Sequence, residues 1–150
     1  HNAVYTLYTD RDGIVWAGTY KKGVSYYDES IFKFELDNVG DVTSIEPEGK
    51  DKAWLGTNEQ GVMLWNYSTR QVEKRFELEN EPVVAMQKGS DGKLWVGTFK
   101  GGLYCIEGSA VRSFKAGIGK KLLSDNIWAL QEDRKGNRLF GCRYSICESF

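Results

Sequence analysis

Val83 to Ile106 reads VVAMQKGSDGKLWVGTFKGGLYCI, with LWVGTFKGG (Leu94 to Gly102) at its centre. Two alternating apolar runs flank a Ser-Asp-Gly turn and a Gly-rich turn leads into a third run, so the stretch predicts three antiparallel strands. Aligned on Trp95, the pattern recurs at Val4 to Tyr27 and Val42 to Trp65, and in degraded form at Ile127 to Phe150. In all four copies an aliphatic residue (Val4, Val42, Val83, Ile127) stands twelve positions before a central apolar one (Trp16, Trp54, Trp95, Leu139). A glycine (Gly18, Gly56, Gly97, Gly141) follows the central residue by two. The first three copies continue with Thr19, Thr57 and Thr98 and add a second glycine, Gly23, Gly61 or Gly102, seven positions after the Trp. The central residues are 38, 41 and 44 apart. That period marks an array of one supersecondary unit, each copy burying its faces against a neighbour.

Working outward, a weaker and more charged run follows three of the copies, at Phe32 to Leu36, Val72 to Leu78 and Ala110 to Phe114. Such a run suits an outer strand, where charge blunts an exposed edge. In each first strand a small residue (Thr6, Ser44, Ala85, Ala129) precedes a large one (Leu7, Ile45, Met86, Leu130), which gives the strand a crowded side and a packing side. Trp16, Trp54 and Trp95 are large enough to fill the gap between successive twisted sheets, and the glycine after each lets a neighbour approach closely. Asp12-Gly13, Asp91-Gly92 and Lys135-Gly136 supply turn residues between first and second strands, with Lys50-Asp51 at that place in the second copy. The reading is all-β: residues 1–150 as a single β-propeller arc of about four blades, near 4–36, 42–78, 83–114 and 127–150, the last lacking its outer strand. The chain is expected to be an excerpt of a longer protein and the arc part of a larger ring; closure of four blades alone is the competing expectation.

Composition narrows the function. Basic and acidic residues number 20 and 21 without long blocks of one sign, so the electrostatic footprint of a nucleic-acid binder is missing. Apolar runs fall far short of the roughly 20 residues a membrane helix needs, so direct membrane insertion of this chain is not expected. Cys105, Cys142 and Cys147 fall in predicted strands with no metal-ligand spacing and read as small core residues. A bridge between Cys142 and Cys147 across the last hairpin is the alternative. His1 is the only histidine and sits at the terminus, which leaves triads, histidine acid-base catalysis and histidine metal sites without their key residue. Asp10-Arg11-Asp12-Gly13 lacks the later acidic ligands of a calcium loop, and Gly117 to Lys121 lacks the spacing of a phosphate loop. No enzyme and no cofactor is expected.

For binding, topology is more informative. In an up-and-down blade the loops from second to third strand and the loops between blades emerge on one face. That face would carry Tyr20, Asn58, Phe99, Arg143 and Tyr144, together with the long connection from Lys115 to Asn126. An aromatic ring beneath a sugar's apolar face, with amide or guanidinium groups for its hydroxyls, is how saccharides are commonly held, and these five residues supply those types.

The run V-x-x-I, acidic turn, G-x-L-W-x-G-T and G-G-L resembles the two-component regulator propeller repeat, and Leu123-Ser124-Asp125-Asn126-Ile127 is similar to that family's lead-in to a new blade. The fourth copy departs from it, with Leu139-Phe140-Gly141-Cys142 in place of W-x-G-T and no Gly-Gly before its third strand. The resemblance implies seven-bladed propellers in the periplasmic sensor region of a hybrid two-component system, detecting carbohydrate fragments and signalling to a histidine kinase outside this chain. It implies an oligosaccharide ligand. Neighbouring blades, or a second copy meeting the open edges, are the expected protein partners. An interaction scaffold and a carbohydrate-active enzyme are the competing readings; the enzyme needs paired carboxylates on one face, which the sequence does not offer.

Overall fold

The alternating runs fold into four antiparallel meanders, and no helix occurs among the described residues. A computed structural model describes the backbone of residues 3–20, 23–28, 31–36, 39–79, 81–118, 122–142 and 145–148, and the side chains of all these except 28, 31–36 and 145–148. The first sheet is β1 (Val4–Thr9), β2 (Val15–Thr19), β3 (Gly23–Asp28) and β4 (Ile31–Leu36). The second is β5 (Val42–Glu48), β6 (Lys52–Thr57), β7 (Val62–Asn66) and β8 (Gln71–Phe76). The third is β9 (Val83–Lys88), β10 (Leu94–Thr98), β11 (Leu103–Glu107) and β12 (Ala110–Phe114). The fourth has three strands, β13 (Ile127–Glu132), β14 (Arg138–Cys142) and β15 (Ser145–Glu148). The sheets fall into two compact units, His1–Asn80 and Glu81–Phe150, each holding two of them.

The three tryptophans are buried, with 6%, 7% and 7% of their surface exposed at Trp16, Trp54 and Trp95. In the first unit Trp16 reaches the second sheet, with its ring 5.5 Å from Trp65 and 5.0 Å from Tyr67. In the second unit Trp95 reaches the fourth sheet, 6.2 Å from Phe140, with the Arg138 guanidinium 4.9 Å from its ring. Indoles therefore wedge neighbouring sheets apart in both units, and each burial removes on the order of 200 Å² from water.

The glycine after the Trp is required by what lies over it. A Cβ on Gly18 would stand 2.8 Å from the Val42 carbonyl oxygen and 3.0 Å from Val42 Cγ1, and one on Gly97 would stand 2.7 Å from Ile127 Cγ2. Thus in each unit the leading aliphatic of the second sheet seats on the glycine of the first, and Val42 and Ile127 are fully buried. The small residue of each first strand is the glycine's cross-strand partner, in the pairs Thr6/Gly18, Ser44/Gly56, Ala85/Gly97 and Ala129/Gly141. Between the leading aliphatic and this small residue all four sheets carry an irregularity of register, a β-bulge with one extra residue on the first strand.

Some expectations change. Leu139, aligned with Trp16, Trp54 and Trp95, is 37% exposed; the adjacent Phe140 is the buried ring, facing the third sheet. Leu7, expected on a packing side, is 65% exposed. The second hairpin turn takes its positive φ at Gly49 (71°) rather than at Lys50-Asp51. The β14–β15 register sets Ser145 opposite Cys142 and Phe140 opposite Cys147, so these two cysteines are not cross-strand partners as a hairpin bridge would need. Cys105 is buried, as a core residue should be.

Candidate functional site

The loop between second and third strands is built by the Thr-x-x-x-Gly spacing. Thr19 Oγ1 donates to the Gly23 carbonyl at 2.9 Å, Thr57 Oγ1 to Gly61 at 2.9 Å and Thr98 Oγ1 to Gly102 at 2.8 Å. The glycine adopts φ of 77°, 66° and 85° in the three copies. At Gly61 and Gly102 a Cβ would also run into the carbonyl oxygens of Phe76 and Phe114. Where the fourth copy has Cys142 for the threonine, Cys142 and Ser145 pair directly and the loop is one residue shorter. The lost Thr and Gly thus belong to a different loop closure.

The residue after the threonine is held the same way each time. The backbone N–H groups of Tyr20, Asn58 and Phe99 donate to the carbonyls of Ala3, Asp41 and Pro82, at 2.9, 3.0 and 3.0 Å. Three of the five sequence-predicted site residues therefore occupy one structural position, the corner of the loop, half-buried in every case. Arg143 and Tyr144 lie outside the described residues.

In the first unit Tyr20 stands edge-on to the exposed ring of Tyr5, with centroids 5.8 Å apart. Beyond Asn58, a cleft of about 300 Å³ opens between Glu59, Gln60, Arg75 and Glu77, and Arg75 Nη1 donates to Gln60 Oε1. Carboxylate, amide and guanidinium groups converge there without an aromatic ring. In the second unit Phe99 meets Trp128 edge-on at 5.4 Å, and Lys100 Nζ lies 5.2 Å from the Phe99 centroid. Trp128 is 48% exposed, so this pair presents an indole to solvent beside an ammonium. The long connection is tied to the same end: Gly102 N–H donates to the Asp125 carbonyl at 3.0 Å, Ala116 N–H donates to Asp125 Oδ1 at 2.7 Å, and Leu122 is buried.

Trp128 and Tyr5 escaped the sequence reading because both occupy the bulge position of a first strand. Their signal was an aromatic standing directly between the leading aliphatic and the small residue, where the other copies have Thr43 and Val84. Among the described residues no group of three or more His, Cys, Asp or Glu side chains is placed to hold a metal ion.

Comparison with known proteins follows the same lines. The family described as two component regulator propeller matches residues 1–21 and 77–100. No sequence among curated proteins matches the chain. Among solved structures, the extracellular domain of BT4673 of B. thetaiotaomicron, described as a putative hybrid two-component system, aligns at 23% identity and TM-score 0.86, over 99% of this chain and 21% of that one. The extracellular domain of BT3049 of the same organism, described in the same terms, aligns at 22% identity and TM-score 0.76, over 99% and 23%. The computationally designed protein Ika4 aligns at 16% identity and TM-score 0.77, over 100% of this chain and 92% of that one. The chain spans about a fifth of the length of the two ectodomains. At such identities the likeness establishes the fold, a β-propeller arrangement, while the family match covers two stretches of the sequence. Residues 1–21 and 77–100 of this chain are thus similar to the two component regulator propeller family, within an all-β fold of four antiparallel sheets.

Proposed function

We propose that the chain is a non-enzymatic recognition module of an extracytoplasmic sensor, a piece of a hybrid two-component receptor in the periplasm that binds carbohydrate fragments and signals to a histidine kinase. The observation that carries the reading is the Phe99–Trp128 pair with Lys100 at the loop end. An exposed indole offers a flat apolar face to a sugar ring, and the ammonium donates to its hydroxyls or to an acidic substituent. The similarity to ectodomains of hybrid two-component systems supports the sensor assignment.

Isothermal titration of the chain with a panel of neutral and acidic oligosaccharides tests it. At least one should bind, and Trp128→Ala should abolish the heat while leaving the fold intact. A panel without any binder, or binding untouched by Trp128→Ala, would overturn the assignment of this site.

A second reading, assembly through sheet faces, has its own support. Val4 is 49% exposed and Leu7 65%, whereas the aligned Val42, Val83 and Ile127 are fully buried. A face of that composition suits another sheet of the same kind, from a neighbouring blade or a second copy. Light scattering across a concentration series decides: a strict monomer at every concentration argues against self-assembly.

A further inference from the structure

The hairpin-turn end of each unit has the same frame with different contents. In the second unit Arg138 lies on the Trp95 ring, its Nη2 pairs with Asp91 at 2.8 Å, and its Nε faces Glu132 at 3.5 Å. Glu132 also accepts the backbone N–H of Ser90 at 3.0 Å, closing a clasp between the two sheets. In the repeat alignment Trp95 corresponds to Trp16, Asp91 to Asp12, Arg138 to Ala53, and Glu132 to Pro47. The registers agree, for Glu132 pairs with Arg138 and Pro47 with Ala53. The first unit therefore keeps the indole and the carboxylate and lacks the guanidinium. Around Arg138 and Trp95 the remaining space is about 10 Å³, whereas the corresponding place in the first unit is a cleft of about 250 Å³.

We propose that this cleft, between Asp12, Ala53 and Tyr67, binds a guanidinium group carried by a ligand, as Arg138 fills the equivalent place from within the chain. Its walls suit that cation. Asp10 is fixed, with Oδ2 accepting Trp16 Nε1 at 2.8 Å and Oδ1 accepting the N–H groups of Asp12 and Ile14. Asp51 Oδ1 accepts Ser68 Oγ at 2.9 Å. A carboxylate has about four acceptor sites, so both retain capacity for a planar fork of donors. Tyr67 covers the Trp16 ring, and Tyr8 and Tyr67 line the cleft, offering ring faces to a weakly hydrated cation. Among the basic residues of the lining, Lys52 is paired with Glu73 at 2.7 Å, and Arg11 and Lys50 stand on exposed turns. The field at the phenols is consistent with this. Burial first, and then Asp10, Asp51 and Asp12, push the Tyr67 hydroxyl above its ordinary pKa; burial first and then Asp10, against Arg11, do the same to Tyr8.

The test is an NMR titration of the full chain, following the Trp16 indole and the amides of Asp12 and Ala53, with N-acetyl-arginine amide, its lysine counterpart and its norleucine counterpart. Saturable shifts with the arginine compound, weaker with lysine and absent with norleucine, are expected. Asp12→Asn should weaken binding about tenfold, the effect of one charge-assisted hydrogen bond. Ala53→Arg should abolish the shifts while the spectrum stays dispersed; if that variant does not fold, Asp12→Asn decides. Free arginine and a Gly-Arg-Gly peptide then distinguish a small metabolite from a peptide as carrier, tighter binding of either supporting guanidinium recognition. No saturable shift, equal shifts with all three compounds, or unchanged affinity in Asp12→Asn would overturn the proposal. Loss of saccharide binding would leave it untouched, since that site is built from residues of the second unit and this cleft from residues of the first.

Discussion

If the glycine after each central residue is there to let the next sheet approach, replacing it should be costly only where a next sheet is seated. Gly97→Ala and Gly141→Ala, both in the second unit, make the comparison within one environment. At Gly97 the new Cβ would meet Ile127 Cγ2 at 2.7 Å, Ile127 Cβ at 2.9 Å and the Ile127 carbonyl oxygen at 3.1 Å. Ordinary carbon contacts lie near 3.5–4.0 Å, and Cβ and the carbonyl move only with the backbone, so no rotamer change relieves the crowding. Overpacking of this kind costs about 1–3 kcal/mol, and the gain of about 0.4–1 kcal/mol from restricting the unfolded chain offsets only part of it. At Gly141 the nearest atom is Ala129 Cβ at 3.1 Å and the next lies at 3.6 Å, a misfit of a few tenths of an ångström. There the two contributions should cancel to within about 0.5 kcal/mol. Urea unfolding followed by tryptophan fluorescence would show a lowered midpoint with unchanged slope for Gly97→Ala and a midpoint close to the parent for Gly141→Ala. Equal losses at the two positions would refute the reasoning, because the glycine would then serve its own strand and not the sheet beyond.

Other consequences can be checked with the same protein. Thr98→Val removes the buried hydroxyl that donates to Gly102 and should cost about 1 kcal/mol in thermal or urea unfolding, with the loop geometry kept by the Thr98 N–H bond to the same carbonyl. Burial raises the Asp91 carboxyl, but the Lys93 N–H and the Arg138 guanidinium more than reverse this, and its folded pKa is lowered. A lowered carboxylate contributes stability that is complete above the unfolded pKa of about 3.9 and is lost as pH falls through the folded value. Arg138→Met should therefore destabilise at pH 7, and the difference should shrink as pH falls through the lowered folded value, read by denaturant midpoints across an acid pH series. Cys105 is buried and its thiol pKa is raised chiefly by that burial, so alkylation followed by peptide mass spectrometry should label it only under denaturing conditions.

Most of the fold was legible because the repeat supplied its own alignment. A Trp followed by Gly and Thr fixes a buried ring, a close approach and a loop staple, and three copies of that sentence leave little freedom for the strands around it. The β-bulge was invisible for the same reason. All four first strands carry it at the same place, so the twelve-residue spacing from leading aliphatic to central residue absorbs the extra residue without a gap. A comparison of copies detects what changes between them and is blind to an irregularity they share. Simple alternation then misassigns the residue at the bulge, which is how Tyr5 and Trp128 passed as ordinary strand positions.

The chemistry lay in the complementary part of the comparison, at aligned positions where the copies disagree. Asp10 and Glu48 stand six residues before Trp16 and Trp54 and accept their indole N–H groups at 2.8 Å. In the third copy that position is Gly89, and Trp95 Nε1 is buried without a hydrogen-bond partner among the described residues. A side chain at Gly89 would press on Asp91 Oδ1 (2.6 Å) and Arg138 Nη2 (2.9 Å), so the carboxylate was exchanged for room in which the guanidinium covers the ring face. An acid on the indole edge and an arginine on its face are thus alternative ways to finish the same buried tryptophan. The unit that uses the acid has Ala53 where the other has the arginine that covers the indole, and that difference, not anything the copies have in common, is what an external ligand could exploit.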